Sequence, residues 1–240
     1  MTALILVAHG SRHPGTEPCL NALAGAIRGR VAAEDVRVAW LELIDPSLGA
    51  LCDEFAARGI RDAVIVPLLF TEAFHRTVDL PAQAAAAQEA SGVRLDVRDG
   101  IGLGAGVKKA VVRSFLATAA DPRDDVLLVA VGSGDQAAND AVHRVAADLD
   151  GMLPGTVRAA FSVGSGQPTA ASAVDGLVVT RKSRGTVILP LFTAPGLLWD
   201  RVVDRAAGLP GVTCGEPLGE LLADVVVARW LEKAPARAHA

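Results

Sequence analysis

Residues 4–11 read LILVAHGS, and residues 127–134 read LLVAVGSG. Each is an unbroken apolar run that ends in a glycine–serine turn. A run this short and without alternation is what a strand covered on both faces requires. Outward from the first run the chain alternates strand and helix. The pattern predicts strands at Ala3–Ala8, Val36–Leu41, Ala63–Leu69 and Arg94–Arg98, with helices at Glu17–Ala33, Ser47–Arg58, Pro81–Ser91 and Gly106–Thr118. Strands alternating with helices of this length imply parallel sheets joined by right-handed crossovers.

The second run opens a replay of the same order. VRVAWLELIDP at 36–46 is answered by VRAAFSVGSGQP at 157–168, and VIVPLLFT at 64–71 by VILPLFT at 187–193. GIGLGAGVKKAVVRSFL at 100–116 pairs more loosely with EPLGELLADVVVARWL at 216–231. Matches in order at an offset of about 122 residues point to internal duplication. The expected fold is therefore α/β: two similar Rossmann-like domains, parallel sheets flanked by helices, related by a pseudo-two-fold. Their boundary falls in the polar stretch Ala119–Asp125, giving domains 1–120 and 121–240. Duplication also suggests a cleft between the domains, where α/β proteins commonly bind ligands.

Composition narrows the function classes. The chain has 240 residues, 51% of them hydrophobic and 21% charged, with a formal net charge of −4. Such a chain buries a core, and no basic field or tail recruits nucleic acid. No apolar block is long enough to span a bilayer, and the start lacks the basic region of an export signal, so a cytoplasmic location is expected. Cys19, Cys52 and Cys214 are scattered and form no CxxC, which points away from a disulfide framework or an iron–sulfur site.

Three ionisable residues of the first half fall just beyond successive strands: His9, Glu42 and His75. A parallel sheet displays its binding loops at that edge. Two imidazoles and a carboxylate suit transient binding of iron, cobalt or nickel, and imidazole also exchanges protons near neutral pH. A lone histidine is more often structural or merely exposed than a ligand, and Glu42 alone reads as a surface carboxylate; the convergence at three strand ends is the signal. Sequence matching sets Val131 opposite His9, Gly164 opposite Glu42, and APGLLW at 194–199 opposite the His75 loop. The scaffold repeats and these polar groups do not, so one site is expected, built by the first domain. Phe192, Pro195, Leu197, Leu198 and Trp199 could roof it against Leu69, Phe70 and Phe74, a surface suited to a flat ring or to plain domain packing.

Weaker signals surround these. Ser11, Arg12, His13 and Arg76 offer donors or positive charge for a ligand's carboxylates. The turns Gly132-Ser133-Gly134 and Gly164-Ser165-Gly166 form neither GxGxxG nor a P-loop. Ser11 has no GxSxG elbow around it. The run Arg181-Lys182-Ser183-Arg184 precedes a strand and so falls at the opposite edge, while His143 sits in a helical stretch and His239 in the tail.

LILVAHGSRHPG at 4–15, VRVAWLELIDPSL at 36–48 and VPLLFTEAFHRTVDLP at 66–81 together resemble the sirohydrochlorin chelatases of the long, two-domain class II type. That resemblance covers nearly the whole chain. It implies a lyase that inserts Fe²⁺ or Co²⁺, with Ni²⁺ as a third candidate, into sirohydrochlorin or a related tetrapyrrole in siroheme or cobalamin biosynthesis, releasing two pyrrole protons. It further implies that His9 and His75 bind the metal and act in catalysis with Glu42; Ser11, Arg12, Arg76 and Phe70, from their places beside these residues, are expected to contact the macrocycle. No tightly bound cofactor is implied, because the metal is substrate. Helices Gly106–Thr118 and Leu218–Leu231 would each pack on the other domain. A monomer is the default and a homodimer the alternative. The rival readings are a tetrapyrrole or metal carrier without turnover and a ferrochelatase acting on another porphyrin.

Overall fold

The computed structural model describes residues 2–71, 80–179 and 185–232. The first apolar run forms β1, Thr2–Ala8, in which every residue from Ala3 to Ala8 is buried. It lies between β2 (Val36–Trp40) and β3 (Asp62–Pro67), and β4 (Arg94–Val97) completes an all-parallel sheet in the order β2-β1-β3-β4. Leu4 stands opposite Val36 on one side and Val64 on the other. The odd positions of β1, Ala3, Ile5 and Val7, join one core with Leu48, Leu51, Cys52 and Phe55 of α2 (Leu48–Ala57) and Leu80, Ala84 and Ala87 of α3 (Leu80–Ser91). Ser47 caps α2, its hydroxyl oxygen accepting from the Ala50 N–H.

The remaining helix of this half, α1, spans Thr16–Ile27 and stops short of the expected Ala33. Gly29 takes a φ of 80°, a left-handed conformation that ends the helix before the polar approach to β2. β4 is followed by α4, Ala105–Ala117.

The second half repeats the design. Strands β5 (Asp125–Ala130), β6 (Val157–Phe161), β7 (Thr186–Leu191) and β8 (Val212–Cys214) form a parallel sheet in the order β6-β5-β7-β8. Leu127, Val129, Ala160 and Ile188 pack with Ala170 and Val174 of α6 (Ala170–Val179) and with Trp199, Val202 and Ala206 of α7 (Leu197–Ala206). Between β5 and β6 lies α5, Gln136–Asp150, capped by Asp135. The expected helix over 218–231 is broken: a 3-10 turn at Gly219–Leu222 precedes α8, Ala223–Leu231. Gly219 has a φ of 43°, which a continuous helix cannot hold.

Packing divides the chain otherwise than the sequence repeats do. One unit comprises Met1–Gly102 with Leu222–Ala240, and the other Leu103–Leu221. Helix α8 packs against α1 and β3, in the first unit. Helix α4 packs against β7 and α5, in the second. Each sheet is thus completed by the helix that follows the other sheet in sequence, as the family resemblance implied.

Candidate functional site

In each unit the strand order reverses between the first strand and the third, and the crevice outside their carboxyl ends is where open α/β sheets bind ligands. His9 comes directly after β1 at that crevice. The ladder between β1 and β2 continues past both strands: the Leu41 N–H donates to the Ala8 carbonyl at 2.9 Å and the Glu42 N–H to the His9 carbonyl at 3.1 Å. This extra rung sets the two side chains together. His9 Nε2 lies 3.1 Å from Glu42 Oε1, with the side chains 45% and 51% exposed, so solvent and ligand can reach both.

Two local features shape this pair. Gly10 has a φ of 104°, and a Cβ placed there would lie 1.9 Å from the Glu42 carbonyl oxygen. Only glycine permits both the turn and the approach. On the other side, the Ile44 N–H donates to the Glu42 carbonyl at 2.9 Å, closing a γ-turn whose central residue, Leu43, has a φ of 69°. Beyond it the Trp40 N–H donates to the Pro46 carbonyl at 3.1 Å, tying the end of this loop back to β2.

The spacing of the pair fits cation binding. Two donors, each about 2.1 Å from one ion and at a right angle to each other, stand about 3.0 Å apart. Imidazole with carboxylate suits first-row divalent metals without the grip of thiolate. Among the described residues, no group of three His, Cys, Asp or Glu is placed to hold a metal ion. His75 and Arg76, with Phe74, lie outside the described residues, as does the basic run at 181–184.

Ser11 is half-buried and its oxygen accepts from the His13 N–H at 3.1 Å, while His13 Nδ1 accepts from the Gly15 N–H at 3.0 Å. Both side chains therefore shape the turn into α1. Arg12 is exposed and Phe70 is half-buried in the segment after β3. His143 packs edge-on to Phe161, with ring centroids 5.2 Å apart, as a structural histidine does.

The second unit repeats the backbone without the polar pair, and it corrects one correspondence. The Val163 N–H donates to the Val131 carbonyl at 2.8 Å, the counterpart of the Glu42–His9 rung. Gly132, with a φ of 93°, would set a Cβ 2.0 Å from the Val163 carbonyl oxygen, as Gly10 would at Glu42. Val163, not Gly164, therefore stands opposite Glu42. Gly164, with a φ of 79°, matches Leu43. The loop from Val163 to Pro168 carries one residue more than that from Glu42 to Pro46, and sequence matching anchored on the prolines slipped by that residue. Where the first unit exposes His9 and Glu42, the second exposes valines, Val131 at 42% and Val163 at 43%.

Two further residues at this edge, Leu43 and Arg98, carry no strong signal in the sequence. Arg98 follows β4 at the same edge, its Nη2 3.0 Å from Asp96 Oδ2, with Nε and Nη1 buried and unpartnered. Its alternation with Asp96 on an edge strand was the available signal.

The fold and the site thus define a class: duplicated, Rossmann-like α/β proteins with an accessible histidine–carboxylate pair at one sheet edge. The chain belongs to the CbiX family, whose model matches residues 3–118 and again 125–233. A sirohydrochlorin cobaltochelatase of Methanocaldococcus jannaschii is 30% identical over 81 residues, 34% of this chain and 57% of that protein. A second, from Methanopyrus kandleri, matches at 30% over the same shares. The chain thus spans little more than half the length of these curated relatives. Among solved structures, SirB from Bacillus subtilis with Fe³⁺ has a TM-score of 0.78 at 22% identity, covering 97% of this chain and 95% of that one. CbiX, described as the terminal enzyme for siroheme biosynthesis in denitrifying bacteria, has a TM-score of 0.67 at 21% identity over 94% and 98%. At these identities the two structures support the fold.

Proposed function

We propose that the protein inserts a divalent metal, Fe²⁺ or Co²⁺, into sirohydrochlorin or a related tetrapyrrole, as a lyase of siroheme or cobalamin biosynthesis acting in the cytoplasm. The observation that carries this reading is the His9–Glu42 pair, exposed at the sheet's switch point at a spacing that suits one shared cation. The names of the curated relatives, sirohydrochlorin cobaltochelatases, supply the substrate class, and SirB structures with Fe³⁺ and with cobalt supply the metals.

In this mechanism the ion enters as a substrate and rests between His9 Nε2 and Glu42 Oε1, with His75 as a further donor. The macrocycle lies over them, its pyrrole nitrogens toward the ion. Insertion replaces two N–H bonds by bonds to the metal and liberates two protons. An imidazole that has surrendered the ion has a lone pair with which to accept one of them. Holding both reactants in place supplies much of the acceleration, and neither a redox step nor a covalent intermediate is needed. Ser11, Arg12, Arg76 and Phe70 are assigned to the macrocycle's periphery. The repeat 1–120 supplies the reacting groups, and 121–240, with valines in their place, is their scaffold duplicate.

The test follows the absorbance of sirohydrochlorin with Fe²⁺ and separately with Co²⁺ under anaerobic conditions. The wild-type protein is expected to accelerate metallation over the protein-free rate. His9→Ala and His75→Ala should each lose roughly a hundredfold or more, and Glu42→Gln roughly tenfold. A spectral shift on binding without faster insertion would make the protein a carrier, and unchanged rates in both histidine variants would move the site elsewhere.

A further inference from the structure

Leu43 stands out among the exposed residues of the first unit. The residue is 56% exposed although leucine is among the residues most often buried. Its backbone φ of 69° is one that a γ-branched side chain rarely adopts. The hydrogen bond from the Ile44 N–H to the Glu42 carbonyl, 2.9 Å, holds it there, in the rarer and more strained of the two γ-turns. Asn, Asp or Gly would take this conformation at less cost. The second unit has Gly164 at the matching position, where a Cβ would in addition lie 2.5 Å from the Ser133 carbonyl oxygen.

Strain of this kind persists where the site it serves repays it. Within the described fold, Leu43 obtains little burial in return. It directly follows Glu42, and its Cβ stands 3.6 Å from the place a Cβ on Gly10 would take, so the side chain starts beside the turn that follows His9. An exposed apolar group thus stands next to Glu42 and near the turn after His9, past the carboxyl end of β1.

We infer that Leu43 is a tetrapyrrole-contacting residue: its side chain bears on the apolar face of the macrocycle and seats the ring against the His9–Glu42 pair. This rests on the chelatase reading above and adds a specificity-determining residue to it. The γ-turn aims the side chain at the ligand, and ring binding buries what the free protein leaves exposed. The metal, held by polar atoms on either side, does not depend on it.

Three variants test this: Leu43→Gly, Leu43→Asn and Leu43→Met. Leu43→Asn keeps a side chain that tolerates positive φ and removes the apolar contact. The expected result is an unfolding midpoint no lower than wild type, a KM for sirohydrochlorin raised roughly tenfold as the ring loses a buried leucine, and an unchanged KM for Co²⁺. Leu43→Gly should raise the same KM, and Leu43→Met should restore it to within about twofold. Direct titration of metal-free sirohydrochlorin, followed by absorbance, should show the same order of affinities. Wild-type KM and affinity in the Gly and Asn variants would overturn the inference while leaving the chelatase reading intact. A sharp fall in the Leu43→Asn midpoint would overturn it also, by making Leu43 a structural residue. Absence of both binding and metallation in the wild-type protein would defeat the functional reading and this inference with it.

Discussion

At Gly10 two constraints act on one atom. A methyl group there meets a left-handed φ and a carbonyl oxygen 1.9 Å away that belongs to Glu42. Gly10→Ala should therefore lower stability by roughly 2–5 kcal/mol, the sum of the backbone and overpacking costs, and displace the Glu42 backbone from the His9 rung. Gly132 meets the same conditions against Val163, so Gly132→Ala should cost a similar amount. The two are expected to part in activity: compared by urea unfolding and by metallation rate, only Gly10→Ala should approach the rate of Glu42→Gln. Equal loss in both would mean that general destabilisation, not the site, sets the rate. That His9 and Glu42 share one sheet edge was legible because each is the first polar residue after an apolar strand, and strand ends are what sequence periodicity locates best. Leu43 was not legible. A γ-turn spans three residues and has no residue signature here, and the one-residue slip in matching the repeats hid that a glycine answers it.

Among the elements, α2 shows most directly how burial fixes a titration. Cys52 belongs to the helix face that meets Ala3, Ile5 and Val7 of β1. Burial, with a smaller contribution from the neighbouring Asp53 carboxylate, pushes its thiol up to about 11. In the unfolded chain an ordinary thiol titrates near 8.5. The unfolded state therefore gives up its proton first as pH rises. Cys52's contribution to stability is whole below about pH 8.5 and is lost progressively toward pH 11. Urea midpoints are expected to fall between pH 8.5 and 10.5, and to fall less steeply in Cys52→Ala. The chain contains no tyrosine to obscure that window, although Cys214, also raised by burial, adds in the same direction. A pH dependence identical in the variant would assign the fall to other groups. Element type was read correctly along the chain because the apolar runs are short and the helical stretches amphipathic. The ends were set by glycines whose φ the sequence does not state: Gly29 halts α1 early, and Gly219 turns the start of the last helix into a 3-10 turn.

At the scale of the whole molecule, repeat and folding unit are different objects. The sequence shows where the duplication joins, and the two family matches leave 119–124 between them. It does not show, from the residues alone, which sheet each closing helix covers. The amphipathic pattern of α4 says that Val107, Val111 and Phe115 are buried, and is silent on the partner. In the structure α4 serves β7 and α5, while α8 brings Val225 and Val226 to the unit of β1. At about 1.5–3 kcal/mol for each large side chain, the α4 face alone contributes roughly 5–9 kcal/mol, comparable with the whole stability of a domain. Cutting at the repeat boundary should therefore be worse than cutting at the unit boundary. A fragment of residues 103–221, which holds its sheet and α4 in one continuous stretch, is expected to unfold cooperatively in urea. A fragment of 121–240, equally long but without α4, should aggregate or bind hydrophobic dye with no sharp transition, and 1–120, lacking α8 and carrying an uncovered α4, should do the same. Mixing the two repeat fragments during refolding should recover soluble protein, because each carries the helix that the other sheet lacks. A cooperative transition in 121–240 alone, with none in 103–221, would show that the repeat is the folding unit and that the exchanged helices are secondary to it.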